Sequence, residues 1–166
     1  MRHVIRPGAV AAVAVAALVL AGCATHRVNS YLDPRADFMR YRSYAWAERE
    51  DFSTGDPRLD NNRFFIQRVE EAVRLQLAAR GFEEMSVGAA DIQIHIHTRA
   101  DQRIDTTVYD AGTLTIDVVD RRTDRLAWRG WAECSFDGVI ENQASLEVTI
   151  DRTVGRILAQ LPHKPL

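Results

Sequence analysis

The sequence predicts an α+β domain, a single two-layer unit in which two helices pack on one face of a four-stranded mixed sheet. The elements follow in the order β-α-β-β-β-α. Three observations predict this. Two segments carry apolar residues at spacings of three and four, three segments carry them at every second position, and short polar links join them without internal repeat.

The first strand is expected between Phe38 and Trp46, where aromatic side chains are dense. Both of its alternating faces contain polar residues, so the buried face stays open. A charged stretch with Asp, Gly and Pro, Ala47 to Arg58, leads into a helix defined by Phe65, Ile66, Val69, Ala72, Val73 and Leu77. Gly81 supplies its left-handed stop. Ile92, Ile94 and Ile96 then alternate with Gln93, His95 and His97, the period of a half-buried strand. Leu114, Ile116 and Val118 repeat the pattern against Thr115, Asp117 and Val119. In the last strand Leu126, Trp128, Gly130, Ala132, Cys134 and Phe136 alternate with Ala127, Arg129, Trp131 and Glu133, and the polar link from Asp120 to Arg125 makes the last two strands a hairpin. Leu146, Ile150, Val154, Ile157, Leu158 and Leu161 form a second amphipathic helix, which Pro162 ends. Helices on one side leave the polar alternates of the strands on an open face.

The chain has 166 residues, 46% hydrophobic and 27% charged, with a net charge of −2, which fits one domain. The apolar residues are unevenly spread. Arg2, His3 and Arg6 precede a run of small and aliphatic residues from Gly8 to Ala21, and no acidic residue occurs before Cys23. As a helix that run would span roughly 21 Å against a hydrocarbon core of about 30 Å, too short for a stable span. It reads as a secretion signal, residues 1–22, that is removed. Beyond it lie 19 basic and 23 acidic residues, so no cationic excess is available for nucleic acid. Residues 23–37 lack a sustained period and are expected to be a flexible tether reaching about 45 Å at about 3.3 Å per residue, with the domain over 38–166.

Leu20-Ala21-Gly22-Cys23 resembles the lipobox of bacterial lipoproteins. The resemblance implies diacylation of Cys23, cleavage before it and acylation of the new amine. Three acyl chains at about 0.8 kcal/mol per methylene make such an anchor effectively permanent. Ala24, where an aspartate would favour retention in the inner membrane, implies sorting to the outer membrane of a Gram-negative cell, facing the periplasm; the outer leaflet of the inner membrane is the alternative. Further phrases are Tyr41-Arg42-Ser43-Tyr44-Ala45-Trp46, Leu77-Ala78-Ala79-Arg80-Gly81-Phe82, Ala90-Asp91-Ile92, Gly112-Thr113-Leu114-Thr115-Ile116-Asp117 and Trp128-Arg129-Gly130-Trp131-Ala132. With the lipobox they resemble the bacterial lipoproteins of the domain-of-unknown-function family numbered 4136, from about Phe38 to Leu161. That family implies an envelope lipoprotein with one α/β domain and supplies no catalytic residue, ligand or partner. The segment Thr98 to Ala111 matches no phrase.

Candidate sites gather on the polar strand face. Trp131 lies opposite Trp128 in the alternation, beside Arg129 and Glu133, and an exposed Trp amid polar residues anchors protein contacts. Burial under residues 24–37 or 98–111 is the other reading. His95 and His97, two apart on a strand, point the same way and could ligate a metal with Asp117 or Glu133, although a wet strand carries such residues without metal. Cys134, the single thiol left after lipidation of Cys23, reads as a small buried hydrophobe, with intermolecular pairing as the alternative. Asp120 and Asp124, crowded by Arg121, Arg122 and Arg125, read as solvated turn residues rather than an acid and a base. No nucleophile elbow, zinc helix, paired-cysteine or phosphate-loop motif occurs. The expectation is a non-catalytic lipoprotein that binds an envelope protein or cell-wall component, with no cofactor beyond the lipid on Cys23. A metal or small-ligand carrier and an unrecognised cell-wall hydrolase are the alternatives.

Overall fold

The computed structural model describes residues 27–48, 62–101, 111–134 and 142–162. Six strands, β1 (Val28–Leu32), β2 (Ser43–Trp46), β3 (Glu83–Glu84), β4 (Ile92–Asp101), β5 (Ala111–Asp120) and β6 (Arg125–Cys134), form one sheet with the order β1-β6-β5-β4-β2-β3. The β1, β6, β5 and β4 neighbours are antiparallel, and β2 runs parallel to both β4 and β3. Helices α1 (Arg63–Ala78) and α2 (Gln143–Leu158) complete the α+β layer pair. The class, the mixed sheet and both helices follow the sequence expectation; the sheet has six strands rather than four.

The two added strands are both at the edges. Val28–Leu32, expected as tether, pairs with β6 from Val28 opposite Ala132 to Leu32 opposite Trp128. An edge strand needs hydrogen bonds on one side only, so its short sequence shows little apolar alternation. Just four residues therefore separate Cys23 from β1, and the expected reach of the tether shrinks to about 17 Å. β3 is two glutamates long, too short for any period to register. Glu84 nevertheless draws the edge together, accepting from Tyr44 Oη–H (3.0 Å), Trp46 Nε1–H (3.1 Å) and Arg74 Nε–H (2.9 Å). Burial pushes its pKa up, but these donors more than reverse that and hold it below the ordinary carboxylate range.

The strand expected over Phe38 to Trp46 is shorter, because residues 38–40 form a turn. Phe38 and Tyr41 enter the core from that turn in an edge-to-face pair with ring centroids 5.1 Å apart. The inner face of the sheet presents Ile92, Ile94, Leu114, Ile116, Val118, Trp128 and Ala132 to Phe65, Val69, Val73 and Leu77 of α1 and to Ile150, Val154 and Ile157 of α2. Both helices open on an asparagine cap: Phe65 N–H donates to Asn62 Oδ1, and Ser145 N–H to Asn142 Oδ1. Gly81 takes φ 76°, the left-handed stop expected after the first helix.

Near the hairpin the alternation of β6 breaks. Val118 opposes Trp128 while Val119 opposes Leu126, so Ala127 is the extra residue of a β-bulge. Leu126 thereby shares the outer face with Val119, and Ala127 is buried in its place. The expectation that Leu126 lies in register with Trp128 is corrected by that one-residue shift.

Candidate functional site

The register of four strands collects the sequence-predicted residues into rows across the outer face of the sheet. Tyr31, Arg129, Asp117 and His95 form one row, since Tyr31 opposes Arg129, Arg129 opposes Asp117, and Asp117 opposes His95. The next row is Asn29, Trp131, Thr115 and His97. A third contains Glu133 and Thr113. Trp131, Arg129, Glu133, His95, His97 and Asp117 are thus all neighbours on one face.

At the centre Arg129 donates through Nε–H to Asp117 Oδ1 and through Nη2–H to Asp117 Oδ2, both at 2.6 Å. This two-pronged pair fixes both side chains. Asp117 is 5% exposed although it lies on the outer face, while the Arg129 side chain remains 46% exposed. His97 Nε2 lies 3.4 Å from Asp117 Oδ2, and its ring stacks on His95 with centroids 6.2 Å apart and planes at 16°. A shallow cavity of about 500 Å³ lies over this region, lined by His97, Thr98, Thr113, Thr115, Arg129 and Trp131. Trp131 is half-buried there.

For a metal, the arrangement is poorly suited: both Asp117 oxygens already face a guanidinium, whose charge opposes a second cation. Among the described residues no group of three His, Cys, Asp or Glu side chains is placed to hold a metal ion. The hairpin carboxylates have structural partners. Asp120 accepts from Tyr41 Oη–H (2.9 Å) and from the backbone N–H groups of Arg122 and Thr123, closing the turn. Asp124 takes φ 54° within it. Cys23, Phe136 and the side chain of Cys134 lie outside the described residues, so those expectations stand on the sequence alone. Tyr31 carries no sequence signal, because its edge strand lacks the apolar alternation of a buried one; Thr113 and Thr115 join through register, which sequence alternation does not give.

Removing Arg129 would leave the shielded Asp117 carboxylate without its two donors. Arg129→Ala is expected to cost about 1–2 kcal/mol, toward the low end because the guanidinium is half exposed. Arg129→Lys should recover only part, since an ammonium cannot match both oxygens. Urea unfolding checks this, and an alanine variant as stable as the parent would show that the pair is idle.

The architecture, two helices on one face of a mixed sheet with a polar–aromatic opposite face, defines a small α+β domain without a recognisable catalytic constellation among its described residues. The chain belongs to the family defined as a domain of unknown function (DUF4136), whose model matches residues 28–163 and so begins at the first residue of β1. Among solved structures it is similar to a DUF4136 family protein from Bacteroides thetaiotaomicron, with TM-score 0.57 and 12% identity over 84% of this chain and 97% of that one. It is also similar to a PDZ domain protein from Parabacteroides distasonis, with TM-score 0.60 and 12% identity over 85% of this chain. The chain spans only 37% of that protein's structure. At these identities the likeness is one of fold. No curated protein sequence matches the chain. Among the described residues no helix is long and apolar enough to cross a membrane.

Proposed function

We propose that the chain is a lipoprotein of the cell envelope, cleaved before Cys23 and anchored through acyl chains on that residue in the outer membrane, facing the periplasm. Its domain is non-catalytic and binds an envelope protein through the outer sheet face. The observation that carries the binding role is the row arrangement: Trp131 and Tyr31 flank a rigid Arg129–Asp117 pair on one contiguous surface. Trp, Tyr and Arg are the residues that dominate protein interfaces, and they do so when neighbouring groups hold them in place. The lipobox carries the anchoring role. With about 17 Å of chain between Cys23 and β1, the domain stays close to the lipid surface, with the first residues of β1 nearest to it.

Two substitutions in intact cells separate the parts of this reading. Cys23→Ser should abolish palmitate incorporation and move the protein from the membrane to the soluble fraction. Trp131→Ala should leave palmitate and fractionation unchanged while removing a cross-linked partner band. Retention of label by Cys23→Ser would overturn the anchor. Retention of every cross-link by both Trp131→Ala and Arg129→Ala would overturn the binding face.

A further inference from the structure

A second cavity, of about 530 Å³, opens at the hairpin end of the sheet, between the β1–β2 connection, the segment before β4 and the β5–β6 turn. It is the opposite end from the start of β1: β6 runs from Arg125 at this cavity to Glu133, whose N–H meets Arg27 O. At about 3.4 Å per residue the two ends are roughly 27 Å apart.

The cavity lining is charged, and its charges are unequally satisfied. Asp33 receives Arg35 through Nε–H (3.2 Å) and Nη2–H (3.4 Å), and Arg125 Nη2–H lies 3.5 Å away. Asp120 is taken by Tyr41 and the turn N–H groups. Asp91 accepts from the backbone of Arg42 and from Ser43, and Asp37 accepts from Met39 N–H. Each carboxylate is thus engaged. The guanidinium groups of Arg40, Arg121 and Arg122 line the same cavity without a hydrogen bond or close ion pair among the described residues, although the charge of Arg122 also acts on nearby Asp120. Arg121 is the least exposed of the three, and its side chain is partly covered where it meets the cavity wall. Guanidinium groups that converge on one cavity without a hydrogen-bonded acceptor are matched by an oxygen anion. The planar fork of arginine suits a carboxylate or phosphate, and the volume is that of a small-molecule site.

We propose that this cavity is an oxyanion-binding site, in which the guanidinium groups of Arg40, Arg121 and Arg122 converge on a carboxylate- or phosphate-bearing small molecule. The site is separate from the outer sheet face, and its location at the far end of the sheet from Val28 leaves it open to solvent with the chain anchored at Cys23.

Calorimetric titration of the full chain in detergent tests this, using inorganic phosphate and succinate as probes and sodium chloride at matched ionic strength as reference. Saturable 1:1 binding of either probe is expected, and the tighter one identifies phosphate or carboxylate as the natural group. Arg121→Gln should weaken it about tenfold or more. Because Arg121 is partly buried, the exposed pair Arg40→Gln and Arg122→Gln provides a second arm that leaves folding intact and should weaken binding by a similar factor. Absence of saturable binding for both probes, or binding that survives in both arms, would overturn the site.

Discussion

Gly130→Ala is expected to destabilise the domain by about 3 kcal/mol, lowering the thermal midpoint by roughly 10 °C. A Cβ at this position would lie 2.8 Å from Cγ2 of Ile157 on α2, and closer still to Cη2 and Cζ2 of the Trp128 indole. Trp128 and Gly130 are two apart on β6 and share its inner face, so the indole folds over the glycine into space that any side chain would fill. Neither neighbour can yield: Trp128 is 1% and Ile157 0% exposed. Trp128→Phe removes the atoms that clash and also deletes the Trp128 Nε1–H, which is buried without an acceptor among the described residues. The Trp128→Phe/Gly130→Ala double variant should therefore be more stable than the sum of the single losses by about 1 kcal/mol or more. Denaturant unfolding of the four proteins checks the cycle, and an alanine variant within about 0.5 kcal/mol of the parent would refute the packing argument.

The Trp-Arg-Gly-Trp phrase shows what a sequence does and does not disclose. Period-two alternation placed Trp128 inward and Trp131 outward, as the structure has them, because a side chain on a strand has only two faces to choose from. The reason for Gly130 was not legible, since it depends on a rotamer of Trp128 and on a helix nearly thirty residues later in the chain. Leu126 was misplaced for a related reason: the bulge at Ala127 shifts the face without leaving an apolar signature. The edge strands escaped on different grounds. β1 spends its inner positions on Val28, Ser30 and Leu32, and Leu32 is still 46% exposed, so the pattern that marks a buried strand is absent.

The candidate face was legible as a set of residues and illegible as a site. Alternation put His95, His97, Asp117, Arg129, Trp131 and Glu133 on one side of the sheet, but only the pairing of β4, β5 and β6 sets Asp117 opposite Arg129 and Thr115 opposite Trp131. The arginine-lined cavity was further from view. Its cations come from the β1–β2 connection and from the hairpin, which the chain order separates by about eighty residues. The sequence presents Arg121 and Arg122 as ordinary turn charges, and their convergence with Arg40 on one cavity is a tertiary property.

Asp91→Ala is the second large loss expected, about 2–3 kcal/mol at neutral pH. The parallel pairing of β2 with β4 extends over just Tyr44, Ala45 and Trp46 opposite Ile92, Gln93 and Ile94, so its start must be held by something other than ladder bonds. Asp91 Oδ2 accepts from Arg42 N–H (2.8 Å), Ser43 N–H (3.0 Å) and Ser43 Oγ–H (3.0 Å), and Asp91 N–H reaches back to Ser43. Two donors that precede the ladder are thereby satisfied by one carboxylate. Bonds to a charged acceptor contribute about 1.5–3 kcal/mol each when shielded, and the exposure of Asp91 holds the sum of the three to about 2–3 kcal/mol. Burial pushes the Asp91 pKa up, but the backbone and hydroxyl donors outweigh it and set the folded value below the ordinary carboxylate range. The sign follows from linkage: the contribution is complete above the unfolded value near pH 4 and disappears as pH falls through the lower folded value. Parent and Asp91→Ala should thus differ most at pH 7 and converge toward pH 2, giving the variant a shallower acid limb in urea unfolding. Asp91→Asn should fall between them at pH 7, because an amide oxygen still accepts but carries no charge. A gap between parent and Asp91→Ala that stays constant from pH 7 to pH 2 would show that the carboxylate's charge plays no part in holding β2 to β4.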